Sequence, residues 1–366
     1  MKITYILSKI DKAIAFEWIT TALKKKHEFS FIFIGGEKGH LYSWLEEKEI
    51  PVYFIPYSGK FSIPTAFFQL SRLLIKLKSE IVHTHLFEAN LLGLTAAKLL
   101  GIPKRIYTRH HSTFHHEFYP NAVKWDRWCN WIATDIVAIT KSVKNVLIDK
   151  EQVNSNKISL IEHGFKLDDF AKVDVQKLAQ LKNKYNIPED KIIIGAISRY
   201  IEWKGTRYII NAFKTLFEKN SNLHLVLANA SGPDKELVKK ELSMLPKASF
   251  TEILFENDLF TLYGIFDVFV HCPINSKIEA FGQTYVESLA ASVPSVFTLS
   301  GVANDFIINE RNALIVDYMQ ADQIVSAVQK LTTDKELIKK IKINGLADVQ
   351  AYSLEVMIHK LEILYN

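Results

Sequence analysis

Two glutamates bracket a glycine in the stretch EAFGQTYVE, which spans residues 279–287. Glu279 opens the stretch and Glu287 closes it, with Gly282 between them. A glycine lets the backbone come close to a ligand, and the N–H groups at a helix start favour an anion. Carboxylates that bind no metal usually accept hydrogen bonds from hydroxyls, such as the vicinal pair of a ribose. The stretch therefore predicts a site for a hydroxylated anion, and the simpler alternative is a helix cap followed by one exposed glutamate.

Two cations follow the apolar run IIIGAIS in the same half of the chain. Arg199 and Lys204-Gly205 come directly before a helix that is predicted to begin near Thr206. Cations in a strand-to-helix loop are placed to bind phosphate and to neutralise the charge of a departing diphosphate. Loop cations are often merely solvated, so this interpretation depends on the glutamate pair that follows later in the same half.

Four histidines of the first half end or follow predicted strands. His110 and His111 follow the run RIYT, and His83 and His85 end the run EIVHTH. An imidazole at such a position could hydrogen-bond a sugar hydroxyl and stabilise developing charge. For His83 and His85 a satisfied position in the core is an equal alternative.

His115 and His116 form a second pair in the segment YTRHHSTFHHEFY, residues 107–119. Adjacent histidines can bind a metal, but neither cysteines nor acidic residues complete a convincing ligand set in the sequence. We therefore predict no metal site and interpret both histidines as surface or acceptor-binding residues.

All of these residues lie near the ends of short apolar strands. The strand candidates of the first half are ITYIL (3–7), FSFIFI (29–34), VYFI (52–55), EIVHTH (80–85), RIYT (105–108), DIVAI (135–139) and ISLI (158–161). A second series is KIIIGAIS (191–198), LHLVLA (223–228), FTEILF (250–255), DVFVH (267–271), PSVFT (294–298) and ALIV (313–316). Apolar strands separated by helices indicate parallel sheets that are covered on both faces, with ligands beyond the carboxyl ends of the strands.

Two such series predict an α/β protein with two Rossmann-like domains, whose parallel sheets face each other across a cleft that holds the ligand. We place the domains at residues 1–170 and 171–349, with the joint in the polar stretch 166–190. The last helix, about 354–365, has no strand after it, so the C-terminal segment 350–366 could pack back onto the first domain.

The composition fits a globular protein of 366 residues with two cysteines, too few for a disulfide framework, which favours a cytoplasmic location. The charge is uneven, because residues 1–170 carry 23 Lys and Arg against 17 Asp and Glu. A basic half could contact phosphate-rich partners or an anionic membrane, or could simply be solvated. The segment 67–78 has leucines at helical spacing and three cations, which predicts either a helix that covers its own sheet or one that lies on a membrane.

The motifs of the second half resemble those of the retaining glycosyltransferases of family 4, which have the GT-B fold. Glu279 and Glu287 match the E-x7-E signature of that family. Arg199 and Lys204 match its phosphate clamp, and the segment 262–273 resembles the part that leads to its donor site. The resemblance implies that residues 1–170 form the acceptor side and that residues 171–349 bind a nucleotide-sugar.

The resemblance also implies roles for individual residues. The donor-binding set is Arg199, Lys204, Glu279, Phe281, Gly282, Gln283 and Glu287. Arg199 and Lys204 would hold the diphosphate, and Glu287 would bind the ribose. Glu279, with the backbone of residues 281–283, would contact the sugar and the phosphates.

In the first half, Thr108-Arg109-His110 matches a Thr-x-His pattern of the family, whose histidine lies near the transferred sugar. His110 is therefore the catalytic candidate of the first half, with His111 as its rival, and the catalytic candidates of the second half are Arg199, Lys204 and Glu279. Acceptor-side or supporting candidates are Glu17, His83, His85 and His111. Glu17 ends a first loop that lacks the glycines usual in the family.

The second half also departs from the family pattern. Five residues separate Pro273 from Glu279, where three are common, so we expect a reshaped loop over the donor sugar. Ser300 and Asn304 stand where the family favours a glycine and a glutamate.

The resemblance implies a retaining glycosyltransferase that uses a UDP- or GDP-linked sugar and needs no cofactor. No D-x-D sequence is present, so we also expect no metal at the diphosphate. The expected acceptor is a glycan or a lipid-linked glycan in the synthesis of a cell-surface polysaccharide or glycoconjugate, with peripheral contact to an anionic membrane left open. The alternatives are a nucleotide-sugar epimerase of the same fold and a non-catalytic nucleotide- or glycan-binding protein. No nucleic-acid recognition motif occurs.

Overall fold

The computed structural model describes residues 1–172 and 174–366. They form two compact units, an N-terminal unit of Met1–Phe165 with Leu354–Asn366 and a C-terminal unit of Lys166–Ser353. The chain thus passes between the units at 165/166 and 353/354, where the sequence had suggested 170/171 and 349/350.

The N-terminal unit contains a parallel sheet of seven strands in the order β3-β2-β1-β4-β5-β6-β7. The strands are β1 Lys2–Ser8, β2 Glu28–Gly35, β3 Val52–Pro56, β4 Ile81–His85, β5 Lys104–Arg109, β6 Asp135–Ala138 and β7 Ile158–Leu160. The helices before residue 166 are α1 Ile14–Leu23, α2 His40–Glu47, α3 Ile63–Leu77, α4 Phe87–Leu99, α5 Phe114–Phe118, α6 Val123–Ile132 and α7 Lys141–Asn145.

The two faces of this sheet bury different residues because side chains alternate along a strand. Ile6 of β1 and Val82 of β4 belong to an aliphatic core that also contains α3 and α4. Tyr5 and His83, one position earlier in β1 and one later in β4, stack on each other with ring centroids 5.1 Å apart. The histidines of β4 are therefore packed away from the aliphatic core.

The C-terminal unit contains a parallel sheet of six strands in the order β10-β9-β8-β11-β12-β13. The strands are β8 Ile192–Ile197, β9 Leu223–Ala228, β10 Phe250–Ile253, β11 Val268–His271, β12 Ser295–Phe297 and β13 Leu314–Ile315. The helices are α8 Leu167–Ala171, α9 Val175–Lys184, α10 Thr206–Lys219, α11 Lys235–Leu242, α12 Leu259–Gly264, α13 Gln283–Ala290, α14 Ala303–Phe306, α15 Ala321–Thr333 and α16 Lys335–Asp348.

Every predicted strand is present, and the largest difference is at FTEILF, where β10 ends at Ile253. The predicted fold class is correct in that each unit is a parallel α/β sheet. Helices cover both faces of a parallel sheet, so the side chains on both sides of each strand are buried. The strands are therefore apolar along their whole length, which is why they could be predicted from the sequence.

The last helix, α17, spans Leu354–Tyr365 and belongs to the N-terminal unit, where it packs against α1. Its Tyr365 hydroxyl lies 2.9 Å from Nδ1 of His83 and also bonds the hydroxyl of Tyr5. Lys360 of the same helix pairs with Glu162 at 2.5 Å. The C-terminus therefore completes the aromatic side of the first sheet.

Helix α3 covers its own sheet with the stripe predicted from the sequence. Leu70 and Leu74 are buried in the aliphatic core, and Phe67 and Leu77 pack against it. The leucine stripe is therefore not a membrane-binding face. No helix among the described residues has the length and apolar character needed to cross a bilayer.

Candidate functional site

The loop between β8 and α10 is held against the end of β11. Gly205 has a φ of +71°, and a Cβ at this position would lie 1.9 Å from the carbonyl oxygen of Cys272. Only glycine allows so close an approach in this backbone conformation. The glycine therefore fixes the position of the preceding Lys204, whereas Arg199 on the same loop is exposed.

Lys204 and Glu279 form a salt bridge at this strand end. Lys204 Nζ donates to Glu279 Oε1 at 2.5 Å, and the two side chains are 23% and 10% exposed. Nε2 of His271 lies 3.4 Å from the same carboxylate oxygen. Burial acts to raise the pKa of Glu279, but His271 and Lys204 outweigh it and lower the pKa to about 2. Glu279 is therefore an anion that is paired with a cation before any ligand binds.

His271 was not identified from the sequence as a functional residue. It is the last residue of β11, so its position at a carboxyl strand end was visible in the run DVFVH. Burial lowers the pKa of His271, and the nearby Glu279 acts in the opposite direction. His271, at the end of β11, thus helps to keep the Glu279 carboxylate ionised and in place.

Helix α13 begins directly after Gly282, which has a φ of +81°. No side chain caps this helix start, and Gln283 at its first position is exposed while Phe281 is buried. Thr284 Oγ1 is buried and has no hydrogen-bond partner. An uncapped helix start with an unsatisfied hydroxyl can bind an anion through its N–H groups. Thr284 is a second residue of the site that was not identified from the sequence.

Glu287 lies inside the C-terminal unit and not on its surface. Its residue exposure is 7%, and the Tyr263 hydroxyl donates a hydrogen bond to it at 2.8 Å. Burial raises the pKa of Glu287 to about 7, although the bond from Tyr263 acts in the opposite direction. The alternative of a cap followed by an exposed glutamate is therefore wrong.

The raised pKa of Glu287 predicts a pH-dependent stability. An ordinary glutamate ionises near 4.5, so the stability that comes from the protonated carboxyl is complete below that pH and is lost as the pH rises to about 7. Glu287→Gln stays neutral, and we expect it to gain up to about 3 kcal/mol relative to wild type between about pH 5 and pH 8. Urea unfolding of wild type and of Glu287→Gln at about pH 5 and at about pH 8 measures this difference in the free energy of unfolding. Glu218→Gln, at an exposed position of α10, is the matched control and should show no such trend.

The segment after β12 supports the loop that carries Glu279. The backbone N–H of Glu279 donates to Ser300 Oγ at 3.1 Å. Asn304 Nδ2 donates to the carbonyls of Gly301 at 3.2 Å and of Ser276 at 3.4 Å. The two residues that depart from the family pattern therefore fasten the longer 274–278 loop to its neighbour.

In the N-terminal unit, His83 is a satisfied core histidine. Its Nδ1 bonds Tyr365 and its Nε2 bonds Thr108 Oγ1, both at 2.9 Å. Burial lowers the pKa of His83 to about 3. Because both ring nitrogens are used, His83 has none left for a ligand, and it supports the end of β5.

His85 and His110 are joined directly. Nδ1 of His85 lies 2.9 Å from Nε2 of His110, and Nε2 of His85 is buried without a partner. The ring of His163, from the segment after β7, stacks on His110 with centroids 5.8 Å apart. Burial, with His163 as the next contribution, lowers the pKa of His110 to about 3. His110 is therefore a neutral, partly exposed imidazole at the end of β5.

A buried ionic network holds the segment that follows His110. Arg109 is 2% exposed, lies 3.2 Å from Asp126 and pairs with Glu151. His115 bonds Asp126 at 2.7 Å, and His116 bonds Glu151 at 3.0 Å. The interpretation of these two histidines as surface residues is therefore wrong. Long-range acidic partners could not be identified from local sequence.

His111 turns toward the same network. Its Nε2 lies 3.6 Å from Asp126 Oδ1, and its Nδ1 is buried without a partner. Ligand atoms of His111, His115 and Asp126 lie within 4.8 Å of one another, which is compatible with a metal ion in geometry. Arg109 competes for the same carboxylate, so the cluster is already compensated in charge.

Glu17, expected at the end of the first loop, lies in the first turn of helix α1. Its Oε1 has no hydrogen bond and lies 3.9 Å from Nδ1 of His40. Asp11 of this loop accepts from the His40 N–H at 2.8 Å, and a Cβ on Gly39 would come within 2.6 Å of Asp11. The first loop has no glycine of its own, and its close approach to a neighbouring segment is permitted by Gly39, in the loop after β2.

Family models match both halves of the chain. The model "Glycosyltransferase Family 4" matches residues 15–169, and "Glycosyl transferases group 1" matches residues 179–348. Among curated relatives, the capsular polysaccharide biosynthesis glycosyltransferase CapM of Staphylococcus aureus is 27% identical over 300 residues, covering 80% of this chain and 77% of CapM. The UDP-Gal:α-D-GlcNAc-diphosphoundecaprenol α-1,3-galactosyltransferase of Escherichia coli is 22% identical over 361 residues, covering 94% and 90%.

Solved structures match the whole chain. A crystal structure of HepE from Anabaena in complex with UDP superposes with a TM-score of 0.85 and 15% identity, covering 100% of this chain and 99% of that one. WaaG, a glycosyltransferase involved in lipopolysaccharide biosynthesis, superposes with a TM-score of 0.73 and 13% identity, covering 100% and 99%. These matches establish the GT-B fold predicted from the sequence.

Proposed function

Because the chain belongs to the family 4 glycosyltransferases, we propose that it is a retaining enzyme that transfers a sugar from a nucleoside diphosphate to an acceptor hydroxyl. The observation that carries the proposal is the paired Lys204 and Glu279, which lie at a carboxyl strand end of the C-terminal unit. The uncapped start of α13 follows Glu279 within four residues. A cation, an anion and free N–H groups are the groups that a diphosphate and a sugar require.

The proposed chemistry separates charge at the bond between the sugar and the diphosphate. Arg199 and Lys204 neutralise the negative charge that grows on the departing diphosphate, and the start of α13 adds oriented N–H groups. The acceptor oxygen attacks on the face from which the diphosphate leaves, and a phosphate oxygen takes the acceptor proton. The C–O bond to the diphosphate breaks as the C–O bond to the acceptor forms. No side chain is required as a covalent nucleophile.

Two carboxylates divide the remaining contacts in this proposal. Glu279 is ionised and addresses the sugar hydroxyls, with Lys204 shifting toward the phosphate when the donor binds. Glu287 lies deeper in the unit and receives the ribose hydroxyls next to Tyr263. The donor is a UDP- or GDP-sugar, in keeping with the UDP bound to Anabaena HepE.

The proposed acceptor is a glycan or a lipid-linked glycan. The relatives support this class, since one acts in capsular polysaccharide biosynthesis and another on a diphosphoundecaprenol-linked sugar. Transfer to such an acceptor places the enzyme in polysaccharide or glycoconjugate synthesis.

The division between the two glutamates is the test of this function. Glu287→Ala is expected to weaken the binding of free UDP or GDP by at least tenfold, because the ribose hydroxyls would lose their buried hydrogen-bond acceptor. Glu279→Gln keeps the side-chain shape and should leave nucleotide binding nearly unchanged while transfer falls. Calorimetry with each nucleotide and turnover with the sugar donor measure the two effects.

The matched control for this experiment is Glu218→Ala, which removes an exposed carboxylate from α10. Equal losses of nucleotide affinity in both site variants would overturn the division of roles. A nucleotide-sugar that is epimerised without any acceptor would overturn the proposed transfer reaction in favour of an epimerase.

We also propose that transfer needs no divalent metal. The sequence has no D-x-D, and the carboxylate nearest the proposed diphosphate site is already paired with Lys204. Turnover is therefore expected to persist in EDTA and to change less than twofold when Mg²⁺ or Mn²⁺ is added, since cationic side chains supply the neutralisation. Loss of activity in EDTA that either metal restores would contradict this expectation. Variants of His115 would then tell whether the metal acts through the histidine cluster of the N-terminal unit.

A further inference from the structure

Two histidines and one aspartate of the N-terminal unit bring their side-chain nitrogen and oxygen atoms together. His111 lies between β5 and α5, His115 is the second residue of α5, and Asp126 lies in the first turn of α6. One atom from each of the three side chains lies within 4.8 Å of the other two. We call these three residues the His-His-Asp cluster. Because its members come from two helices and the segment before them, the tertiary structure was needed to identify it.

The separations within the cluster are close to those of ligands around one ion. Oδ2 of Asp126 lies 2.7 Å from Nδ1 of His115, and Oδ1 of Asp126 lies 3.6 Å from Nε2 of His111. The centroids of the two imidazole rings are 3.9 Å apart. Bonds of about 2.1 Å to a tetrahedral zinc ion place its ligand atoms about 3.4 Å from one another. A small shift of each side chain would therefore bring all three to bonding distance from a single ion.

The ring of His111 lacks a hydrogen bond to any of the described residues. Its Nδ1 is buried without a partner, and the 3.6 Å from its Nε2 to Asp126 is longer than a hydrogen bond. Its side chain is 24% exposed, so an ion can reach it from solvent. Polar atoms in the interior of a protein are normally satisfied. A metal ion at Nε2 would give this ring the partner that the protein does not supply.

The charges around the cluster also favour a cation. Arg109 lies 3.2 Å from Asp126 and pairs with Glu151, so one guanidinium is shared by two buried carboxylates. Among the described residues, no other arginine and no lysine pairs with either carboxylate. Arg109 balances the charge of Asp126 taken alone, but it does not balance both carboxylates. A bound cation would supply the missing positive charge.

We propose that the His-His-Asp cluster binds a divalent transition-metal ion of the zinc type. Two imidazole nitrogens and one carboxylate oxygen are ligands that Zn²⁺ accepts, and a water molecule would complete the tetrahedron. Mg²⁺ and Ca²⁺ prefer oxygen ligands and fit the cluster less well. Arg109 can keep its place beside Asp126, because a carboxylate that binds a metal is usually held by a further hydrogen bond.

A proton on His115 is the competing explanation for the charge. It would strengthen the bond from His115 to Asp126, but it would leave the ring of His111 without a partner. The metal ion accounts for both observations, since the same ion would bind His111 and balance the carboxylates.

The ion would join α5 to α6 and fix the segment that follows His110. Glu151 is held without it, by His116 at 3.0 Å and by Asn130 at 2.7 Å, so we expect the unit to fold in the absence of metal and to be more stable with it. The proposal concerns the N-terminal unit alone. It rests neither on the nucleotide-sugar nor on the reaction, and it is separate from the metal independence proposed for transfer.

Titration of the full chain with Zn²⁺ tests the proposal, after any affinity tag has been cleaved and bound metal has been removed. We expect one Zn²⁺ per chain in competition with a chromogenic chelator, and a Tm that rises as Zn²⁺ is added. Co²⁺ in place of Zn²⁺ should show the visible absorption of a four- or five-coordinate ion. His111→Gln should weaken Zn²⁺ binding by about a hundredfold or more, at least the largest loss typical of a residue that only supports a ligand. Its Tm in the presence of chelator should stay close to that of wild type, because the ring of His111 makes no hydrogen bond.

The matched control is His116→Gln, which changes the neighbouring histidine of α5. His116 bonds Glu151 and lies outside the cluster, so this variant should bind Zn²⁺ as wild type does. Asp126→Asn should also lose Zn²⁺, but it weakens the pair with Arg109 as well, which makes His111→Gln the deciding variant. The proposal is overturned if wild type binds no Zn²⁺, if His111→Gln binds it as tightly as wild type, or if His116→Gln loses it to the same extent.

Discussion

Replacing Arg199 or Lys204 by alanine is expected to lower the turnover number by about two orders of magnitude or more. Each substitution would remove one cation from the proposed diphosphate site. The loss of one group that stabilises charge in a transition state typically lowers turnover by this factor. The two variants should differ in stability. Arg199 is exposed, so its removal costs the fold little, whereas Lys204 is paired with the buried Glu279 at 2.5 Å. Removing one partner of such a pair is destabilising.

Lys204→Gln separates charge from structure at this position. The amide keeps a donor for Glu279 and loses the cation, so we expect a turnover loss close to that of the alanine variant with a smaller loss of stability. Steady-state transfer and thermal unfolding, measured on the same preparations, provide both numbers. Lys214→Ala, at an exposed position of α10, is the control and should match wild type in both. Near-normal transfer by Arg199→Ala and Lys204→Gln would exclude the diphosphate assignment.

Replacing His110 by alanine is expected to lower kcat by about a hundredfold and to leave the Kd for free UDP within a few-fold of wild type. The proposed role of His110 is a hydrogen bond from a neutral imidazole to the transferred sugar, and a single polar contact made in the transition state has this magnitude. The nucleotide is assigned to residues of the other unit, so its affinity should not depend on His110. His111→Ala should have a milder effect, because His111 is turned toward Asp126 at 3.6 Å.

The pH profile distinguishes this role from acid–base catalysis. Burial, followed by the neighbouring His163, lowers the pKa of His110 to about 3, so His110 should not contribute a change of protonation near neutral pH. Any kinetic limb near pH 7 should therefore persist in His110→Gln, which keeps a polar group for His85. Disappearance of that limb would show that His110 titrates during turnover. His359→Ala, at an exposed position of α17, is the control, and unchanged transfer in a His110 and His111 double variant would leave both without a catalytic role.

The family and the fold of this protein could be recognised from short segments of its sequence. Parallel strands that are buried on both faces are apolar along their whole length, so each one left a local signal that is independent of the rest of the chain. The glycines at positions 205 and 282 were also visible locally. Their backbones have φ values of +71° and +81°, a conformation that favours glycine, so the residue type itself marks these two turns. The strand β10 ended two residues earlier than predicted because apolar Leu254 and Phe255 lie exposed after it and not in the sheet.

Contacts between distant parts of the chain decided the chemistry of the site. Lys204 and Glu279 are 75 residues apart in sequence, and no pattern within either segment reveals that they pair. His271 joins them only because β11 lies beside β8 in the sheet. The same reason explains why the sequence did not reveal that Glu287 is buried beside Tyr263. It also explains why His115 and His116 were left without partners although Asp126 and Glu151 bind them.

The sequence by itself thus determined the residue types of the proposed site, the strand ends that carry them and the class of fold. Tertiary structure alone decided their states: Glu279 is an anion paired with Lys204, Glu287 has a raised pKa, and His110 is neutral against His85. It also decided which of the two buried histidines of β4 has both ring nitrogens satisfied, since His83 is bonded through both of them and His85 through one. The physical reason is that hydrophobic periodicity is local, whereas desolvation and charge pairing depend on which segments the fold brings together.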